Sequence, residues 1–558
     1  MSIESHTDHN SSGILPARPL LWAGAMLFAL IAPSATLKSD DLRFAKIFTE
    51  HCVLQREMAV PVWGWAKAGT EVVVEFADQT KTATTDESGG WLVKLDAMLA
   101  SDEGRVLKVS SGSAVTELTD ILVGEVWLCS GQSNMGWSIS KAKGGREAIA
   151  RANLPRLRMF RVKQNPRHEP GGEVEGEWFV CSPGAFANRR DFTAVGFFFG
   201  QQMLESQDCP IGLIGSYVGG SPVEAWMSEE ALAAFPTERG KRSDTWKRLR
   251  AFHQARDGMA AAMAKHGPKL AAWEEELAAR NQAHRKALMA WKVASAKARE
   301  ANQAPPPRPK PAPVSRRPLE PDRYPHHATV LFRGMIEPLI PYGLRGAIWY
   351  QGEANCYPRR AGEYATSFPL MIADWRERWG QGDFPFLFVQ LPNFAKAKVD
   401  WMTLRESQRL VAARVSNSAM AVTIDIGDPD DLHPADKKPV ADRLALLARA
   451  EVYGEDVIAH GPLIESAKKI GDGRLRLTFR STKSALQRKA TLGGFEVAGR
   501  DGKFMPAQAS IDGEHVIVWR DGIESHHVRY AWAPDPFPTA NLYNRQGLPA
   551  SPFSITAE

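Results

Sequence analysis

Gly131-Gln132-Ser133-Asn134-Met135 puts a serine where a hydrolase carries its nucleophile, directly after the apolar run Ile121 to Cys129. A run of that kind reads as a buried strand, and a serine on the sharp turn after it can present its hydroxyl above the sheet edge. The spacing departs from G-x-S-x-G because position 135 is Met, and turn chemistry accounts for Ser and Asn equally well. The chemistry also needs a base. Asp428-Pro429-Asp430-Asp431-Leu432-His433-Pro434 follows a second apolar run, Ala419 to Ile426, so His433 and its acids fall on a strand-to-helix loop. Serine attack on a carbonyl requires an imidazole to take the proton and an acceptor to orient that imidazole. The plainer account of this segment is an acidic loop capping the helix that starts near Ala435.

Two further strand ends complete the set. Gly219-Gly220-Ser221 closes the run from Ile211, and consecutive glycines let backbone N–H groups approach a developing oxyanion. Gln351-Gly352-Glu353-Ala354-Asn355 closes the run from Gly346. There Gln351 offers an amide donor, and Glu353 or Asn355 can position neighbours. On one parallel sheet, the carboxyl ends of these four strands converge on a single crevice.

These blocks, in this order, resemble the sialate O-acetylesterase-like branch of the SGNH hydrolases. Val53-Leu54-Gln55-Arg56, Pro61 to Ala66, Gly494 to Gly499 and Gly547 to Phe553 extend the resemblance from about residue 43 to the C-terminus, the middle insertion excepted. It implies an α/β protein: an SGNH (flavodoxin-like) hydrolase domain with flanking β-sandwich modules and a helical insertion. The implied activity is that of a serine carbohydrate O-acetylesterase working through an acetyl-enzyme. Ser133 would be the nucleophile and His433 the general base. Gly220, the Ser133 amide and Gln351 would form the oxyanion hole, with Gln351 standing where most SGNH members have Asn. The wider pattern puts the orienting acid three residues before the histidine, which is Asp430. The acetylesterase branch often keeps only the acid two residues before, Asp431; Asp430 is the expected one. The expected substrate is an acetylated plant cell-wall oligosaccharide of xyloglucan or xylan type, with O-acetylated sialic acid as the alternative. Two other classes share these features: a carbohydrate-binding protein that has lost activity, and a thioesterase or lipase with the same triad.

Composition constrains the rest. Hydrophobic content of 44% and charged content of 24% are ordinary for a globular chain of 558 residues. The net charge of +5, spread along the chain and without a nucleic-acid motif, does not call for a polyanionic partner. Five scattered cysteines have no C-x-x-C spacing, so neither a metal nor another cofactor is expected. Seventeen tryptophans serve core packing first and sugar stacking second. Residues 1–35 read as a signal peptide, with an apolar run from Leu20 to Ala32 and small residues after it. Export to a bacterial periplasm or beyond follows, with no membrane contact past that segment. The organisation expected for the remainder is a β module over 42–120 and a hydrolase domain in two parts, 121–228 and 324–453. Between those parts lies a helical insertion with a Pro-rich linker over 229–323, and a second β module covers 461–558. Ala260 to Ala301 reads as one or two long helices, and the Pro-rich stretch from Ala304 to Pro313 as extended and exposed. The oligomeric state is not legible.

Overall fold

The apolar run leading to Ser133 is the second half of an 18-residue strand, β1 (Ala114–Gly131). The computed structural model describes residues 42–188, 191–236, 243–397, 400–480, 484–488 and 490–558; the expected signal segment, 1–35, lies outside them. Along β1, exposed and half-buried residues alternate up to Asp120, and from Ile121 every residue is buried. Alternation marks a strand with one face in water, and continuous burial marks one covered on both faces. The first half pairs antiparallel with Ser101–Ser111 in the N-terminal β region. The second half pairs in parallel with strands of a central sheet. The change of environment expected between residues 120 and 121 thus occurs within one unbroken strand.

The central sheet has six parallel strands, ordered β2 (Leu154–Arg161), β3 (Ile211–Tyr217), β1, β4 (Gly346–Tyr350), β5 (Phe386–Val389), β6 (Ser418–Ala421). Trp178–Cys181 adds an antiparallel edge beside β2. After β1 the chain lays β2 and then β3 on one side, with β3 between β2 and β1, and afterwards β4, β5 and β6 on the other, so a crevice opens at the carboxyl end of β1.

Six helices matter here: α1 (Ala194–Gln207), α2 (Asp244–Asp257), α3 (Met259–Glu300), α4 (Arg360–Trp379), α5 (Trp401–Arg414) and α6 (Lys438–Leu447). Successive side chains of β1 enter different cores. Val126 and Leu128 join Phe368, Trp375 and Leu404 of α4 and α5, while Trp127 and Cys129 join Phe197 of α1 and Val440 of α6. Helix α4 runs straight through Pro369, and its apolar stripe, Tyr364, Phe368, Met371, Ile372, Trp375 and Trp379, is buried.

The middle insertion projects as an arm. Helix α3 is a single 42-residue helix with only His266 and Ser295 buried. The Pro-rich segment returns along it: Trp291 Nε1–H donates to the Pro306 carbonyl at 2.7 Å and Trp273 Nε1–H to the Ser315 carbonyl at 2.9 Å. The helical stretch between the two tryptophans spans about 27 Å, and the stretch from Pro306 to Ser315 spans about 28 Å as polyproline. The two lengths match because the extended strand climbs twice as fast per residue. Residues 260–319 carry twelve Lys or Arg against four Glu, so the positive charge is concentrated on the arm rather than spread along the chain.

The C-terminal β region docks on the central domain. Buried Arg405 donates to the carbonyls of Leu391 (2.9 Å), Pro392 (2.6 Å), Ala533 (2.9 Å) and Pro534 (3.0 Å), joining the two parts.

Candidate active site

Each of the four strand-end segments arrives at the same crevice. Gly131, with φ of +135°, ends β1 so close to β4 that a Cβ there would lie 2.2 Å from the Tyr350 carbonyl oxygen. Only glycine permits that approach and the turn it starts. Ser133 follows, half-buried, and its Oγ–H donates to His433 Nε2 at 2.8 Å across 300 residues of sequence. Trp137 stacks on the imidazole with centroids 5.6 Å apart and planes 14° apart. A serine hydroxyl and an imidazole nitrogen within hydrogen-bond reach are the pairing that nucleophilic catalysis requires.

Gly220 lies on the turn after β3, with φ of +69°. Its neighbour Gly219 abuts the nucleophile: a Cβ there would sit 3.6 Å from Ser133 Cβ. The backbone N–H groups of Ser133 and Gly220 have no acceptor among the described residues. Two such free donors beside a serine can receive an oxyanion.

Gln351 is not a third. Its side chain is fully buried, and Nε2 donates to the Ser221 carbonyl at 3.2 Å and to Asn355 Oδ1 at 2.8 Å. Oε1 accepts from Tyr364 OH at 2.9 Å. Every polar atom of the amide is committed below the surface. Asn355 Oδ1 in turn accepts the Val223 N–H at 2.9 Å. Gln351 and Asn355 thus grip both ends of the segment after Gly220 and fix the turn from below.

Asp430 is likewise elsewhere. Its carboxylate pairs with Lys396 at 3.0 Å, and its side chain is 80% exposed. Asp431 stands beside the histidine: its Oδ1 accepts the His433 backbone N–H at 2.8 Å, and its charge acts on the ring. The physical reason is the loop itself, in which side chains one position apart leave in different directions.

A buried polar network lies under the pair. Asn134 donates to Glu353 Oε1 at 2.5 Å and to the Leu432 carbonyl at 3.1 Å, and accepts from Lys437 Nζ at 2.5 Å. One amide therefore joins the serine turn, the β4 turn and the histidine loop. Lys437 also sits over the rings of Trp137 (5.8 Å) and Tyr350 (5.7 Å). Burial pushes Lys437 down to about 8, against the pull of Glu353 and Asp431, and pushes the Glu353 carboxyl upward. His433 is held below the usual imidazole range, first by burial and then by the Lys437 charge, with Asp431 opposing. A base that stays neutral below that range is ready to accept a proton in mildly acidic water.

Lys437 and Trp137 carry no motif signal, so reading the sequence missed them. Asn134 lies inside the serine motif and was legible only as a turn residue. His326 was missed as well; its Nδ1–H donates to the Gly220 carbonyl at 2.9 Å from the end of the insertion.

Known proteins share the sequence and the fold of this chain. Residues 332–445 match the family "Carbohydrate esterase, sialic acid-specific acetylesterase". The sialate O-acetylesterase of Rattus norvegicus is 27% identical, over 95% of this chain and 97% of the rat protein. The Homo sapiens sialate O-acetylesterase is 26% identical, over 92% of each. The crystal structure of a carbohydrate acetylesterase from Xanthomonas citri superposes with a TM-score of 0.72 at 33% identity, covering 92% of this chain and 99% of that one.

Proposed function

This chain belongs to the sialate O-acetylesterase-like family of carbohydrate esterases and is a carboxylic ester hydrolase; from that premise we propose a serine mechanism acting on an O-acetylated oligosaccharide. The observation that carries it is the 2.8 Å contact of Ser133 Oγ with His433 Nε2 beside the free N–H groups of Ser133 and Gly220. His433 Nε2 takes the Ser133 proton, and Oγ attacks the acetyl carbonyl carbon. The oxyanion rests on the two N–H groups. His433 then returns the proton to the departing sugar oxygen, which leaves an acetyl-serine. Water, deprotonated by the same nitrogen, attacks that ester and releases acetate and Ser133. Asp431 holds the His433 backbone and favours the imidazolium formed in each half.

The strand order β3-β1-β4-β5-β6 supports the SGNH, flavodoxin-like reading, since it reproduces the 2-1-3-4-5 order of that architecture. The division into flanking β modules and a helical insertion is retained in the same sense. For the substrate we favour an acetylated cell-wall oligosaccharide of xyloglucan or xylan type. The second reading, O-acetylated sialic acid, is favoured by the activity named for the rat and human relatives. Export rests on the signal segment alone, and fractionation of expressing cells tests it.

The deciding experiment measures acetate release from acetylated xyloglucan oligosaccharides, acetylxylan, O-acetylated sialic acid and 4-nitrophenyl acetate, for wild type and Ser133→Ala. Release that vanishes in the variant supports the nucleophile and identifies the sugar. Equal release by both proteins overturns the assignment of Ser133.

A further inference from the structure

One cavity of the molecule has no part in the chemistry above. It lies between the root of the arm and the returning segment 319–327, and its volume is about 480 Å³, within the usual size of small-ligand sites. Gln254, Met259, Ala262, Glu320, Tyr324 and His327 contribute to its walls, and no Lys or Arg does.

One short aromatic segment has residues both in the cavity wall, Tyr324 and His327, and against the turn after β3, His326. The His326 ring covers Gly220 on the oxyanion turn, where a Cβ would meet its Cε1 at 3.1 Å. Tyr324 packs against both His326 and His327, with centroids 5.2 and 4.8 Å apart. The segment 324–327 therefore walls the oxyanion turn on one side and the cavity on the other.

The hydrogen-bonding character of that wall is determined by a relay. A carbonyl can only accept, so His168 Nδ1 donates to Asp322 O at 3.1 Å. His168 Nε2 is then an acceptor, and His327 Nδ1–H donates to it at 2.9 Å. With Nδ1 committed, His327 Nε2 is a lone pair, and it has no donor among the described residues. Burial first, and then the basic groups around it, Arg248 among them, push His327 down to about 4, so the ring stays neutral. Glu320 supplies a second acceptor, held by Arg323 at 2.9 Å and Arg317 at 3.2 Å. Tyr324 is 40% exposed, and with Met259 it adds apolar surface.

Acceptors beside an aromatic face suit a molecule that has a C–H face and hydroxyl donors. An anion meets the Glu320 carboxylate, whose two arginines are already paired with it and do not line the cavity. We propose that this cavity is a subsite for a neutral sugar residue linked to the acetylated one, so that the enzyme recognises an oligosaccharide. The proposal rests on the acetylesterase reading of Ser133.

The test fills the cavity from the arm side with Ala262→Trp in the full-length enzyme, with Ala255→Phe as a second variant. Acetylated xyloglucan oligosaccharide and 4-nitrophenyl acetate are the paired substrates. The expected result is a drop of about tenfold or more in kcat/KM for the oligosaccharide, mostly in KM, with the aryl ester within about twofold of wild type. Deacetylated oligosaccharide should inhibit wild-type aryl ester hydrolysis competitively, and should inhibit the filled variants less. The retained aryl ester activity also reports that the variants are folded. Unchanged kcat/KM on both substrates overturns the subsite. Equal losses on both also overturn it, because the cavity wall would then serve the oxyanion turn alone. A wild type inert on every ester would instead remove the reading of Ser133 itself.

Discussion

The floor of the crevice and the arm are stabilised in opposite ways. Beneath Ser133 and His433, one buried asparagine on the serine turn links a carboxylate of the β4 turn to an ammonium and a backbone carbonyl of the histidine loop. Along the arm, a 42-residue helix and a polyproline return meet through exposed contacts: two indole N–H donors, the Glu276 carboxylate accepting from the Ser315 N–H and Oγ–H, and Arg308 over the Trp291 ring. Buried polar groups that lose a partner carry a desolvation penalty, whereas exposed ones turn to water. The geometry around Ser133 and His433 is consequently held from several sides, whereas the contacts of the arm can be exchanged for water at small cost.

Breaking the crevice at its centre has the largest effect. Ser133→Ala should lower kcat by about four to six orders of magnitude with a native melting curve, as measured by acetate release and calorimetry. One layer below, Asn134→Ala leaves Glu353 and Lys437 buried without their shared partner. A stability loss of about 2–4 kcal/mol in urea unfolding is expected, with kcat reduced roughly 10- to 100-fold because the histidine loop loses its tie to the serine turn. A native unfolding midpoint would show that the network is dispensable.

Charge sharpens the contrast further. The Lys437 ammonium disfavours imidazolium, so Lys437→Met should raise the His433 pKa and move the acid limb of the kcat/KM profile to higher pH. Asp431 favours imidazolium, so Asp431→Asn should move that limb to lower pH. The two displacements should be opposite in sign, and shifts in the same direction would contradict the arrangement. Asp430→Asn, at an exposed ion pair with Lys396, should leave the profile in place. The smallest effect is expected on the arm. Trp291→Ala should cost less than about 1 kcal/mol of global stability while raising hydrogen exchange locally along 286–310. Aryl ester hydrolysis should not change.

Much of this was legible in the chain because it is written locally. An apolar run ending in Gly131 or in Gly219-Gly220 identifies a buried strand and the turn that closes it. The stripe from Tyr364 to Trp379 announces a helix packed on one face. Those signals depend on neighbours two to four residues away, and the structure buries each of these elements. The Pro-rich segment was readable as extended but not as half of a hairpin, since its partner tryptophans lie on the preceding helix.

The sequence by itself pointed to the strand ends that meet at the crevice, to the helical character of the insertion, and to the serine and histidine that the fold brings within 2.8 Å of each other. Tertiary structure alone decided that Asp431 rather than Asp430 faces His433. It also turned the Gln351 amide inward to hold the oxyanion turn, and brought Asn134, Glu353 and Lys437 together. The reason is one of range. A strand or turn is specified by contacts along a few residues, whereas the direction of a loop side chain is settled by groups as far apart as Ser133 and His433.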